Sequence, residues 1–107
     1  MIFETVKRKT TENARNGLKL VRERRGGEAY EYYRLGRFVV IAPGVCGGRP
    51  TFKGTRVEVQ TILDWLRSGR SIQDILRGYP SVSRPAVQEA IRLAGRAFSN
   101  ECARQAA

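Results

Sequence analysis

Residues 57–99 read VEVQTILDWLRSGRSIQDILRGYPSVSRPAVQEAIRLAGRAFS, and their punctuation divides them into three helices. Over about 57–68, Val59, Ile62, Leu63 and Leu66 recur at helical spacing with Trp65 on the flank, and Gly69 ends the run. Over 71–78, Ser71 is placed as the cap and Asp74, at the third position inside, suits the helix's positive end as Glu does in a capping box. Ile72, Ile75, Leu76 and Tyr79 supply its apolar stripe before Gly78 and Pro80 close it. Over 83–99, Ser83 caps and Pro85 sits in the first turn, where its missing N–H costs nothing. This third helix divides into an apolar face of Val87, Ala90, Ile91, Ala94 and Phe98 and an adjacent i, i+4 ridge of Arg84, Gln88, Arg92 and Arg96. Arg and Gln at that spacing suit phosphates and base edges in a major groove, as in the second helix of a helix-turn-helix. A solvated face of an ordinary helix has the same pattern, and the turn at 78–82 is long for a strict helix-turn-helix.

Upstream, Tyr30, Tyr32, Tyr33 and the run Phe38-Val39-Val40-Ile41 predict a β-hairpin, with strands near 29–35 and 37–42 interrupted by Gly36. A loop dense in turn formers follows at 43–50, then a short extended piece, Thr51-Phe52-Lys53, and a Gly54-Thr55 turn. Its glycines do not make a phosphate-binding loop, because Lys53-Gly54-Thr55 runs in the wrong order and heads no helix. Residues 1–27 are polar and basic, with Ala14, Leu18 and Val21 on a weak helical stripe that Gly17 interrupts and Gly26-Gly27 ends. The expected architecture is α+β: a basic, weakly helical arm over 1–27, then a unit over 28–107 in which a short hairpin precedes a three-helix bundle.

The 107 residues carry twenty Lys plus Arg against ten Asp plus Glu, a net charge of +10, and residues 1–56 hold +8 of it. Phosphate backbone or an acidic protein surface is the partner such a chain attracts. The arm alone has eight bases and three acids. There is no His, and the two cysteines, Cys46 and Cys102, form no CxxC pair, which removes the commonest general base and any four-cysteine metal site. Glu58, Asp64, Asp74 and Glu89 show no catalytic spacing, so neither an enzyme nor a metal or other cofactor is expected. Met1 to Thr10 lacks the apolar stretch of a signal peptide and no run of eighteen apolar residues occurs, which predicts a cytoplasmic protein without a membrane partner. A hairpin with so few strands is marginal in water, so strands from two chains are expected to pair or pack in a homodimer.

The stretch Gly47-Gly48-Arg49-Pro50-Thr51-Phe52-Lys53-Gly54-Thr55-Arg56-Val57-Glu58-Val59 resembles the signature of domain-of-unknown-function family 433. The resemblance continues through Ile62-Leu63, Leu66 to Gly69, Ser71-Ile72, Ile75-Leu76, Tyr79-Pro80 and the Val87 to Ile91 helix, covering roughly 38–98. Thr51-Phe52 stands where a pair of β-branched aliphatics is commoner, and Glu58 where Pro is frequent.

That resemblance implies a homeodomain-like three-helix fold preceded by short strands, commonly dimeric, in proteins similar to VapB-type antitoxins. Such a protein would inhibit a PIN-like ribonuclease toxin and repress its own operon through operator DNA. Of the family motif, Gly48, Arg49, Pro50, Lys53, Gly54, Thr55 and Arg56 are present. The expected DNA contacts are Arg84, Gln88, Arg92 and Arg96. For the toxin, Arg15, Lys19, Arg22, Arg24 and Arg25 of the arm would meet the nuclease's metal-binding carboxylates, the arginines in bidentate pairs. The alternatives are a protein-interaction module that does not bind DNA and an RNA-associated basic protein.

Overall fold

A computed structural model describes residues 17–106. Four strands, β1 (Leu20–Arg25), β2 (Glu28–Arg34), β3 (Val39–Ile41) and β4 (Pro50–Phe52), form an antiparallel meander in the order β1-β2-β3-β4. Helices α1 (Val59–Arg67), α2 (Ile72–Gly78) and α3 (Arg84–Ala106) follow, giving an α+β fold.

The expected hairpin with a weakly helical arm is corrected by β1. Residues 20–25 pair with β2 along their whole length, from Leu20 opposite Tyr33 to Arg25 opposite Glu28. Gly26 and Gly27, with φ of 57° and 87°, make the two-residue link. A tight hairpin of that kind requires positive φ at both central positions, which glycine adopts without steric penalty. What reads as a helix terminator is therefore a hairpin turn. The portion of the arm that includes Ala14 and Arg15 lies outside the described residues.

The homeodomain-like three-helix bundle preceded by a short hairpin is corrected as well, because the helices share their core with the sheet. Val39 and Phe52 are buried in one cluster with Val59, Ile62, Ile75, Val82, Ala86, Val87 and Ala90. Strand alternation places Val39 and Phe52, which are cross-strand partners, on the face that receives the helices. The opposite face carries a second, smaller cluster in which Tyr32, Val40 and Ala42 are buried and Val21, Tyr30 and Val45 flank them.

Ser71 and Asp74 form the capping box that starts α2. Five residues, 79–83, join α2 to α3, and Val82 from this link is buried in the core. The apolar stripe of α3 is rotated from its expected position. Ile91 is 43% exposed and Phe98 70%, while Ala86, Val87 and Ala90 are buried with Leu93 packed beside them. Glu89, whose buried carboxylate docks on the β2–β3 connection, holds the inward side of α3 away from Ile91, while Phe98 lies on the side of Val87 but beyond the end of the core.

Candidate nucleic-acid interface

The family-like motif builds the passage from β4 into α1. Thr55 donates its hydroxyl to the Phe52 carbonyl at 2.8 Å and accepts from the Val57 N–H at 3.0 Å. The backbone closes the same turn, with Phe52 N–H on the Val57 carbonyl and Thr55 N–H on that of Phe52. Gly54 N–H donates to the Tyr30 hydroxyl at 2.8 Å, and Lys53 N–H to the Phe38 carbonyl at 2.7 Å, which ties the turn to β2 and to the β2–β3 connection. Arg49 holds Glu58 through two parallel bonds of 3.0 Å, and this pair keeps the Glu58 carboxyl below its usual range. Gly48, Pro50 and Arg56 lie along the same passage, with Arg56 exposed and its carbonyl 3.4 Å from Cys46 Sγ. Arg49 and Thr55 are thus engaged within the stretch 47–59, while Lys53 and Gly54 reach β2 and the β2–β3 connection.

The β2–β3 connection is fastened to α3. Glu89 accepts three backbone N–H groups, from Arg37 at 2.8 Å, Phe38 at 2.7 Å and Val39 at 3.0 Å. A Cβ on Gly36 would sit 2.6 Å from the Glu89 carboxyl, so glycine is required there by the close approach of this side chain. Sequence reasoning treats Glu89 only as a carboxylate without a catalytic companion. Its partners lie 50 to 52 residues away, and no local pattern announces them.

All four ridge residues of α3 are exposed. Arg84 Nη2 donates to Gln73 Oε1 of α2 at 2.8 Å, and Arg92 Nη2 stands 3.6 Å from Glu89 Oε2. Because that oxygen also receives the Arg37 N–H, the ridge meets the rim of the sheet at Glu89. Arg37 and its neighbour Arg34 are exposed at this rim. Neither was singled out by sequence, and the only local signal is that two arginines flank the tight turn near Gly36. Arg34 lies over the Tyr32 ring at 5.7 Å and Arg37 over the Phe38 ring at 5.4 Å.

The arm residues stand differently from the ridge. In β1, Arg22 donates Nε to Glu31 Oε2 at 2.6 Å across the hairpin, and Arg24 Nη1 donates to the Gly27 carbonyl at 3.1 Å. Arg25 reaches over the Tyr30 ring at 5.1 Å with its Nη2 3.7 Å from Glu23, and Lys19 is exposed just before the strand. Strand geometry sends alternate residues to opposite faces, so these bases form no single row. Arg15 lies outside the described residues.

Behind the rim, Tyr32 donates its hydroxyl to Glu23, which also faces Lys53 Nζ at 3.4 Å. Burial, together with the Glu23 carboxylate, pushes the Tyr32 hydroxyl up to about 12. Burial alone would raise Glu23, but the Tyr32 hydroxyl, Lys53 and Arg25 outweigh it and leave the carboxyl below its ordinary value.

The other carboxylates have local partners. Asp64 accepts from Gln60 and lies near Arg67, and Asp74 belongs to the cap, whose Ser71 hydrogen bonds lower its pKa. Among the described residues no three acidic or cysteine side chains gather as a metal site requires, and no helix is long and apolar enough to cross a membrane. Cys46 is half-buried and Cys102 exposed, both as free thiols.

No curated protein and no solved structure matches the chain. The sequence model of one family, described as a protein of unknown function (DUF433), matches residues 39–94. This stretch runs from β3 through the Gly54-Thr55 turn to the Glu89 anchor and the first three residues of the ridge, and on that match the chain belongs to the DUF433 family.

Proposed function

We propose that this protein is a DNA-binding regulator whose α3 enters the major groove. The observation that carries the reading is the exposed ridge of Arg84, Gln88, Arg92 and Arg96 on a helix anchored to the sheet by the buried Glu89. A rigid helix presenting guanidinium and amide groups at i, i+4 spacing offers the donors that read guanine and adenine edges. Arg34 and Arg37 beside it add positive charge where a phosphate backbone would run. The net charge of +10 supports the same partner. An antitoxin role, with a PIN-like ribonuclease as second partner, belongs to this proposal as the regulatory setting. It rests on the family resemblance and the basic N-terminal residues rather than on the ridge.

The test is a titration of the gene's own upstream DNA across a salt series, using the wild type and the Arg84→Ala/Gln88→Ala/Arg92→Ala/Arg96→Ala variant. Loss of a base contact costs roughly 1–3 kcal/mol, and loss of a phosphate contact reduces the salt slope by about one. Weaker binding with a flatter slope supports the reading. Unchanged affinity and slope in the quadruple variant would overturn it and put the protein-interaction module in its place.

A further inference from the structure

Beyond the ridge, the structure holds a second basic feature with a different shape. Between the β2–β3 turn, the end of β4 and the α2–α3 link lies a pocket of about 400 Å³ lined by Arg25, Arg34, Arg37, Lys53, Ser81 and Ser83. Four cations from separate parts of the sheet converge there on an apolar floor that includes Phe52 and Ala86. Among the described residues a single carboxylate, Glu23, offsets them, 3.4 Å from Lys53 and 3.7 Å from Arg25. Arg34 and Arg37 make no ion pair among the described residues and rest on aromatic rings instead. Glu89, the other nearby acid, gives its oxygens to the backbone of the β2–β3 turn.

Four positive charges against one negative leave a surplus that a single monoanion would not neutralise. A phosphate monoester carries roughly −1.5 to −2 at neutral pH and three acceptor oxygens, which suit guanidinium forks, an ammonium and serine hydroxyls together. We infer that this pocket is a binding site for a phosphate monoester, distinct from the ridge that would follow a duplex. The inference shares Arg34 and Arg37 with the DNA reading but does not rest on it, since none of its four cations belongs to the α3 ridge.

The shared chemistry has two sources, free phosphate compounds and the phosphorylated end of a nucleic acid. The experiment titrates the full chain, labelled with ¹⁵N, with inorganic phosphate, with a 5′-phosphorylated trinucleotide and with the same trinucleotide ending in a hydroxyl. Amide shifts are followed for the wild type, for Arg34→Gln/Arg37→Gln and for the quadruple ridge variant. Saturable shifts concentrated at residues 34–38 and 81–86 with both phosphate ligands, and absent with the hydroxyl-ended one, are the expected result. The double variant should weaken binding roughly tenfold or more, given the strength of charged hydrogen bonds, while the ridge variant leaves it unchanged. Tighter binding of the trinucleotide than of phosphate identifies a nucleic-acid end as the source, and equal binding identifies free phosphate. Equal response to the hydroxyl-ended ligand, or shifts spread over every basic region of the wild type, would overturn the inference, and that arm needs no variant to fold.

Discussion

Glu89 and Gly36 form a lock whose strength can be worked out and measured. Replacing Glu89 with Ala strands three backbone N–H groups that now reach a carboxylate at 2.7–3.0 Å. Each hydrogen bond to a charged group contributes about 1.5–3 kcal/mol. Water can replace the one to exposed Arg37 but has poor access to the buried Val39, so the variant should lose about 3–5 kcal/mol. That is a large part of the 5–15 kcal/mol, in round terms about 10, that holds a domain this size together. Gly36→Ala attacks the same lock from the other side, since its Cβ would stand 2.6 Å from the carboxyl and push it off its donors. Overpacking of that kind costs roughly 1–3 kcal/mol. Once Glu89 is Ala the obstruction is gone, and Gly36→Ala should be neutral or stabilise by up to about 1 kcal/mol through the unfolded chain. The two single variants and the double variant, compared by urea unfolding, should therefore show a coupling of about 1–4 kcal/mol. Additive effects within about 0.5 kcal/mol would refute the lock.

Two threonines four residues apart should respond with opposite sign to the same change. Thr55→Val removes a hydroxyl that both donates and accepts in the turn and should destabilise by about 1–3 kcal/mol, read by urea unfolding. Thr51→Val removes a fully buried hydroxyl with no partner among the described residues and should be neutral or stabilise by about 1 kcal/mol in the same assay. Ser71→Ala breaks the capping box of α2 and should cost about 1 kcal/mol, seen as a lower thermal midpoint. Tyr32 has its pKa raised from 10.0 to about 12, so its contribution is complete below about pH 10 and is lost as pH rises to about 12. Tyr32→Phe should remove that part of the alkaline loss of stability, and ultraviolet titration of phenolate should show one tyrosine fewer ionising at the top of the range.

The helices announce themselves because their signals are local: Ser71 with Asp74, the stops at Gly69 and Pro80, and Ser83 ahead of Pro85. β1 is hidden by a misleading coincidence. Leu18 and Val21 fall at helical spacing, yet Gly26-Gly27 is also a recognised hairpin link, and the pairing of Arg22 with Glu31 becomes visible only once that link is read as a turn. Likewise the ridge is legible from i, i+4 spacing, whereas the rim arginines and the basic pocket depend on segments brought together across the sheet. Ile91 and Phe98 look like core from periodicity alone. Ile91 falls at the edge of the inward face on a helix held by the buried Glu89, a contact that no window of a dozen residues contains, and Phe98, although on the same side as Val87, lies beyond the end of the core.

The length of α3 gives its anchor a mechanical role. Its buried residues all lie between Ala86 and Ala90, and the helix continues to Ala106, about 25 Å beyond Glu89 at roughly 1.5 Å per residue. A tilt of about 10° at the anchor would swing the free end by about 4 Å, comparable to the rise of one base pair. Arg92 and Arg96, about 4.5 and 10.5 Å along the axis from Glu89, would move by only about 1 and 2 Å for the same tilt, so on the proposed reading a substitution in the β2–β3 turn that shifts the anchor would alter their reach by a fraction of one base-pair step while leaving the ridge side chains unchanged. On the proposed reading, the aim of the ridge is thus set in part by a turn some 50 residues away in sequence.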